Sequence, residues 1–285
     1  MSGDRGYWDQ PSAYIRVGVN SRLLASYDGE RAVALAAAAG YEGIVLHCNC
    51  HLPYDVEDER VEQLAQRLAD CGIEVVALAT SCGHFATLGD KECEAEVQRF
   101  WRYLLIAERL RCPAVHVCPG GPSEPGRARE DHFLRAAHYL REVCDMALGR
   151  RTEVLIENEP GLTATVDGTL QLVSMVDRPN LLVCYSPGNL ALTDRYYGVE
   201  AMERMAHVLV DVRVKDVALL GPTFGQPTLL GEGDLDYRAI IAWLKLSGYQ
   251  GFLSADCDYN ADARYSALDV LRHEYAALKQ LIDES

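Results

Sequence analysis

The residues most able to do chemistry stand at the ends of short apolar runs. Glu157 stands in "EVLIENEPG", Arg213 and Lys215 alternate along "VLVDVRVKD", and Asp256 sits in "GFLSADCD". A carboxylate can take and return a proton, and a fixed cation can hold a negative oxygen. Ser186 and Asn189 belong to "LLVCYSPGNL", where the run breaks at Ser-Pro-Gly-Asn, a turn signature. His47 opens "HCNCH" (47–51), His84 lies in the loop after "IEVVALAT", His116 stands within "PAVHVCPG", and Asp258 ends "GFLSADCD". Charge inside an apolar run is costly to bury without a partner or a purpose. Charges of both signs at so many run ends therefore point to a site. Glu157, Asp256, Arg213 and Lys215 are the catalytic candidates. His47, His84, His116, Ser186, Asn189 and Asp258 are the substrate-binding candidates.

Each motif also has a plainer reading. "HCNCH" has the residue types of a metal box, but zinc prefers wider cysteine spacing. At a strand end, alternation sends His47, Asn49 and His51 one way and Cys48 and Cys50 the other. A lone His116 is more often a core histidine than a ligand. Arg213 and Lys215 can pair with neighbouring carboxylates.

A strand-and-helix alternation is needed to gather these residues. Eight β-rich runs recur at 13–21, 43–48, 73–80, 113–120, 153–161, 181–188, 208–216 and 251–258. Segments of helical period lie between them, as in "VEDERVEQLAQRLADCG" (56–72), where Val61, Leu64, Ala65 and Leu68 form one stripe. "DLDYRAIIAWLKLSG" (234–248) offers Asp236 as a cap and Gly248 as a stop, and 266–284 supplies the last helix. Such alternation implies a parallel sheet, and eight units close into a (β/α)8 TIM barrel, an α/β fold. A doubly wound sheet would want a glycine fingerprint after the first strand, and "VGVNSRLL" has none. The expected organisation is an N-terminal tail (1–12) and one barrel domain (13–285). The C-terminal strand ends, where the candidates lie, are where a barrel keeps its active site.

Composition narrows the function. The 285-residue chain carries a net charge of −15, which repels phosphate backbones and anionic membranes. A small-molecule substrate is expected, with no nucleic acid and no membrane partner; a homo-oligomer is compatible with the sequence. The first residues show no basic-then-apolar signal pattern, and no apolar run is long enough to span a bilayer. Ten cysteines without C-x-x-C pairing are expected to be reduced, which suits the cytoplasm.

"VLIENEPG", "YSPGNL", "VRVKDV" and "GEGDLDYRAIIAWLKLSGYQGFLSAD", in that order, resemble the sugar phosphate isomerase/epimerase superfamily with its xylose isomerase-like TIM barrel. The resemblance runs from "VGVNSRLL" to Asp256. It implies one divalent metal held by Glu, Asp, His and Glu from strands five to eight. Those positions are here Glu157, Ser186, Arg213 and Asp256. One ligand is kept, one is a shorter carboxylate, and two are replaced. A guanidinium has no lone pair and stays protonated, so it cannot ligate a cation. The expectation is that Arg213 takes the ion's electrostatic place and that no cofactor is needed. If manganese, magnesium or zinc binds at all, Glu157 and Asp256 would hold it.

The resemblance further implies an isomerase or epimerase of a small polyhydroxylated carbonyl compound. Glu157 and Asp256 would transfer a proton beside the carbonyl, and Arg213 and Lys215 would stabilise the enediolate, independently of metal. The same parts suit a lyase or dehydratase, and a binding protein that has lost its metal and activity is a third reading.

Overall fold

The structure, a computed structural model, describes residues 14–122, 129–221, 224–257 and 265–285. The expected tail and Asp258 lie outside the described residues. Eight parallel strands close a barrel: β1 (Arg16–Asn20), β2 (Gly43–His47), β3 (Glu74–Gly83), β4 (Ala114–Cys118), β5 (Glu153–Glu157), β6 (Leu181–Tyr185), β7 (Leu209–Val214) and β10 (Phe252–Ala255). Each of the eight β-rich runs supplies one of them. A two-stranded antiparallel hairpin, β8 (Asp216–Gly221) and β9 (Phe224–Thr228), follows β7 directly. The outer helices are α1 (Gly29–Ala39), α3 (Asp58–Cys71), α4 (Asp90–Arg109), α5 (Glu130–Leu148), α6 (Val166–Val176), α8 (Val199–Met205), α9 (Tyr237–Leu246) and α10 (Ala267–Glu284). Two single turns, α2 (Cys48–His51) and α7 (Pro187–Leu190), sit at strand ends.

Local signals set the helix ends. Asp28 Oδ1 accepts from Arg31 N at 2.8 Å to start α1, and Asp236 Oδ1 accepts from Ala239 N at 3.0 Å to start α9. Gly40 ends α1 with φ 103°, a conformation that costs glycine little. In α3 the stripe faces inward as expected: Val61, Leu64 and Leu68 are buried, and Ala65 packs beside them.

Strand alternation divides the core in two. Val115, Val117, Val154, Ile156, Val183, Val212 and Val214 join the large cluster between barrel and helices. Val45, Ala77, Ala79, Ala114, Leu155 and Cys184 form a separate small cluster inside the barrel. With a period of two, the inward series continues upward from Ala114 to His116, from Leu155 to Glu157, and from Cys184 to Ser186. On β7 the outward Val212 and Val214 leave Asp211 and Arg213 on the inner face. The inner layer is apolar and small-sided below and polar above.

The "HCNCH" run does not continue as a strand. β2 stops at His47 and the next four residues form α2. The expected alternation of His47, Asn49 and His51 therefore does not apply, because helical geometry takes over at Cys48. Among the described residues no helix is long and apolar enough to cross a membrane.

Candidate active site

Glu157, Arg213, Lys215 and Asp256 line one cavity of about 220 Å³ at the C-terminal mouth of the barrel. His47, His116 and Asn189 line it too. A larger cavity of about 800 Å³ opens at the opposite end, against Arg16, Glu74, Glu153 and Phe252 at the strand starts. Barrel enzymes keep their chemistry at the other face, and the smaller cavity is where the candidate groups gather.

Arg213 is the centre of the site. It is 1% exposed, and its Nε donates to Asp211 Oδ2 at 3.0 Å. Asp211 is equally fixed: its Oδ1 accepts from Val212 N at 3.0 Å, and Cys184 Sγ lies 3.4 Å from its Oδ2. A guanidinium this deep survives only with such a partner. Burial acts against its charge, but Cys184, Asp211, Glu157 and Asp256 outweigh it and hold the proton more firmly than usual. One nitrogen, Nη2, is buried with no hydrogen-bond partner among the described residues. Such an atom costs free energy unless something else completes it.

Lys215, Asn189 and Glu157 form a chain. Lys215 Nζ donates to Asn189 Oδ1 at 3.2 Å, and Asn189 Nδ2 donates to Glu157 Oε1 at 3.0 Å and to Asn158 O at 2.8 Å. The turn carrying Asn189 packs tightly under β7: a Cβ on Gly188 would lie 2.4 Å from Lys215 O. Glycine there is a matter of space, which gives "PGN" its role. Asp256 accepts from Arg22 Nη2 at 3.4 Å, and its other oxygen is 4.0 Å from Lys215 Nζ.

The two carboxylates differ in proton affinity. Burial pushes Glu157 up to about 6, and Asp256 adds repulsion, while Arg213 and Lys215 pull it back. Burial acts upward on Asp256 as well, but Lys215, Arg213 and Arg22 together bring it below the usual carboxylate range. Glu159 is raised to about 7 by burial and by Glu157. Burial, followed by Arg213, takes His116 down to about 4, and burial with Arg22 lowers His47. Both imidazoles are neutral near pH 7.

Two substrate-binding candidates are placed elsewhere. Ser186 is fully buried, outside the cavity lining, and its Oγ has no hydrogen-bond partner among the described residues. His84 is exposed and also outside the lining: the chain turns there at φ 56°, with its amide donating to Cys118 O at 2.6 Å. Asp258 lies outside the described residues. Conversely, Arg22, Cys118 and Glu159 line the cavity and were not singled out as candidates. Arg22 stands two residues past β1, in the turn Ser21–Leu24, and its own amide donates to the capping Asn20 Oδ1 at 3.0 Å. Glu159 had a signal, since it repeats the inward spacing of Glu157.

The ligand positions implied by the resemblance do not fit an ion. Arg213 puts a protonated guanidinium where an imidazole would ligate, held by its own carboxylate. Ser186 offers only a hydroxyl and is not in the cavity lining. Glu157 and Asp256 remain, and Asp256 is already engaged by two cations. At about 4 Å a fixed positive charge would strongly repel a divalent ion.

Known proteins share this architecture. The L-ribulose 3-epimerase structure matches with a TM-score of 0.79 at 18% identity, covering 95% of each chain. The IOLI protein, solved with a zinc atom, matches at 0.83 and 16% identity, over 95% of this chain and 99% of that one. The probable 3-DHS dehydratase AsbF from Bacillus anthracis matches at 0.75 and 19%, over 93% and 99%. No curated protein sequence matches. The family model described as xylose isomerase-like TIM barrel matches residues 33–281. The chain belongs to the xylose isomerase-like TIM barrel family.

Proposed function

We propose that this protein is an isomerase or epimerase of a small polyhydroxylated carbonyl compound, working without an ion at the family's metal position. The observation that carries this reading is Arg213. It lines the cavity, is fully charged, and has an uncompleted donor at Nη2. A negatively charged enediolate oxygen completes that donor, and a charge-assisted hydrogen bond in a buried site is strong. Lys215 supplies a second positive charge beside Asn189 and Asp256.

Glu157 is the proton carrier. A carboxylate that titrates at about 6 is ionised near neutral pH yet basic enough to take a proton next to a carbonyl. The electron pair of the broken C–H bond moves into the enediolate, and Arg213 and Lys215 meet its oxygens. The hydroxyl proton passes from one enediolate oxygen to the other through neutral His47, and Glu157 returns its own proton to the neighbouring carbon, which isomerises the substrate. Asp256 returning it to the opposite face of the same carbon would instead give an epimer. The low proton affinity of Asp256 favours the one-base route. His47 is a neutral partner for substrate hydroxyls. The ten cysteines, all free, suit the reducing cytoplasm.

The dehydratase neighbour supports elimination as the second reading, since the same base and enolate clamp would expel a β-hydroxyl. The test is incubation of purified protein with a panel of aldoses, ketoses and hydroxylated ketoacids, followed by NMR. Interconversion of isomers supports the proposal. Release of an unsaturated product favours elimination, and no turnover of any compound in wild type overturns both.

A further inference from the structure

We propose that His116, Cys118 and Glu159 form a zinc site on the β4–β5 side of the mouth, separate from the family's metal position. Among the described residues this is the one group of His, Cys and acidic side chains whose ligand atoms all lie within 4.8 Å of one another. Neighbouring strands build it. His116 pairs in register with Leu155, and the inward positions two and four residues further along are Cys118 on one side and Glu157 and Glu159 on the other.

His116 is prepared for a ligand. Its Nδ1 lies 3.4 Å from Thr80 O, an oxygen that only accepts, so Nδ1 carries the proton and Nε2 the lone pair. Thr80 is itself fixed, with its Oγ1 donating to His116 O at 2.7 Å. A metal-bound imidazole is usually oriented by such a carbonyl behind it. Nε2 is buried without a hydrogen-bond partner, and the residue is only 6% exposed. Two observations thus point to His116: it belongs to a ligand cluster, and it carries an unpartnered buried nitrogen.

The donor set selects the ion. Imidazole, thiolate and carboxylate suit zinc, whereas magnesium wants oxygen ligands only. Three protein ligands leave a fourth position for water, the pattern of an open zinc site. All three side chains line the cavity, so an ion can enter. Binding takes the proton from the Cys118 thiol and any proton held by Glu159. Two positive charges enter as up to two leave, so the site changes its net charge little, and affinity rises with pH.

The site uses neither Arg213 nor Lys215, so its failure and that of the isomerase reading are separate results. The experiment titrates chelator-treated full-length protein with zinc and with cobalt. One equivalent of zinc should bind, magnesium should not compete, and cobalt should give a thiolate-to-cobalt charge-transfer band. Cys118→Ser should abolish the band and weaken zinc binding at least about tenfold. Glu159→Gln, at a half-buried position, should weaken zinc by a similar factor and guards against a misfolded serine variant. Cys50→Ser removes the thiol beside His47 and should leave both signals intact. Absence of stoichiometric zinc, a band that survives Cys118→Ser, or unchanged affinity in Glu159→Gln overturns the proposal.

Discussion

Replacing Glu157 with glutamine should make the protein more stable at neutral pH and inactive. The carboxyl titrates at about 6 in the folded protein, against about 4.3 in an unfolded chain. A difference of that size costs about 2 kcal/mol when the group is ionised. Because the folded value is raised, stability is full below about pH 4 and is lost as pH rises through about 6. Glutamine stays neutral at every pH and avoids the loss. Its side-chain oxygen keeps the hydrogen bond from Asn189 Nδ2, now 3.0 Å long, and its amide nitrogen can be hydrated by the cavity. The variant should match wild type near pH 4 and exceed it by up to about 2 kcal/mol at pH 7, or roughly 4 °C in Tm. Denaturant melts at a series of pH values would read this directly. A glutamine variant no more stable than wild type at pH 7 would refute the reasoning. So would an advantage that does not change between pH 4 and pH 7.

Further outcomes follow from the same geometry. The kcat/KM profile of the wild type should rise through about pH 6 as Glu157 ionises, and a profile flat between pH 5 and 7 would remove it as the base. Arg213→Met should cost about 3–5 kcal/mol, since it strands buried Asp211, and should lower turnover by about 10²–10³. Adding Asp211→Asn should recover much of the stability, measured by melting, but none of the turnover. Arg213→His with Ser186→Asp, made in a Cys118→Ser background, restores the family's ligand set apart from the shorter Asp256. Titration calorimetry should show manganese binding that the Cys118→Ser parent lacks.

The barrel was legible because every strand is a short β-rich run and every gap has helical period. Alternation then placed Glu157, Arg213, Lys215 and Asp256 on one face before any contact was known, and all four line the cavity. The hairpin was not legible: "VALLG" after the charged Lys215-Asp216 pair shows no polar alternation, and its partner Phe224–Thr228 holds Pro227, which argues against a strand. Alternation also failed at Cys48, where a helical turn replaced the strand. Arg22 was hidden by distance in sequence, since it lies 234 residues from its partner Asp256. Ser186 and His84 were chosen by position alone. The first is buried outside the cavity lining, and the second stands exposed at a left-handed turn.

The central claim is that a buried guanidinium does what a metal ion does elsewhere in the family. Its most direct test is exchange of the substrate's carbon-bound hydrogen with D2O in protein kept in excess chelator, followed by NMR. The wild type should exchange the hydrogen next to the carbonyl at an undiminished rate, and Arg213→Met with Asp211→Asn should not. Exchange that stops with chelator and returns with added divalent metal would contradict the account, as would full exchange in the double variant.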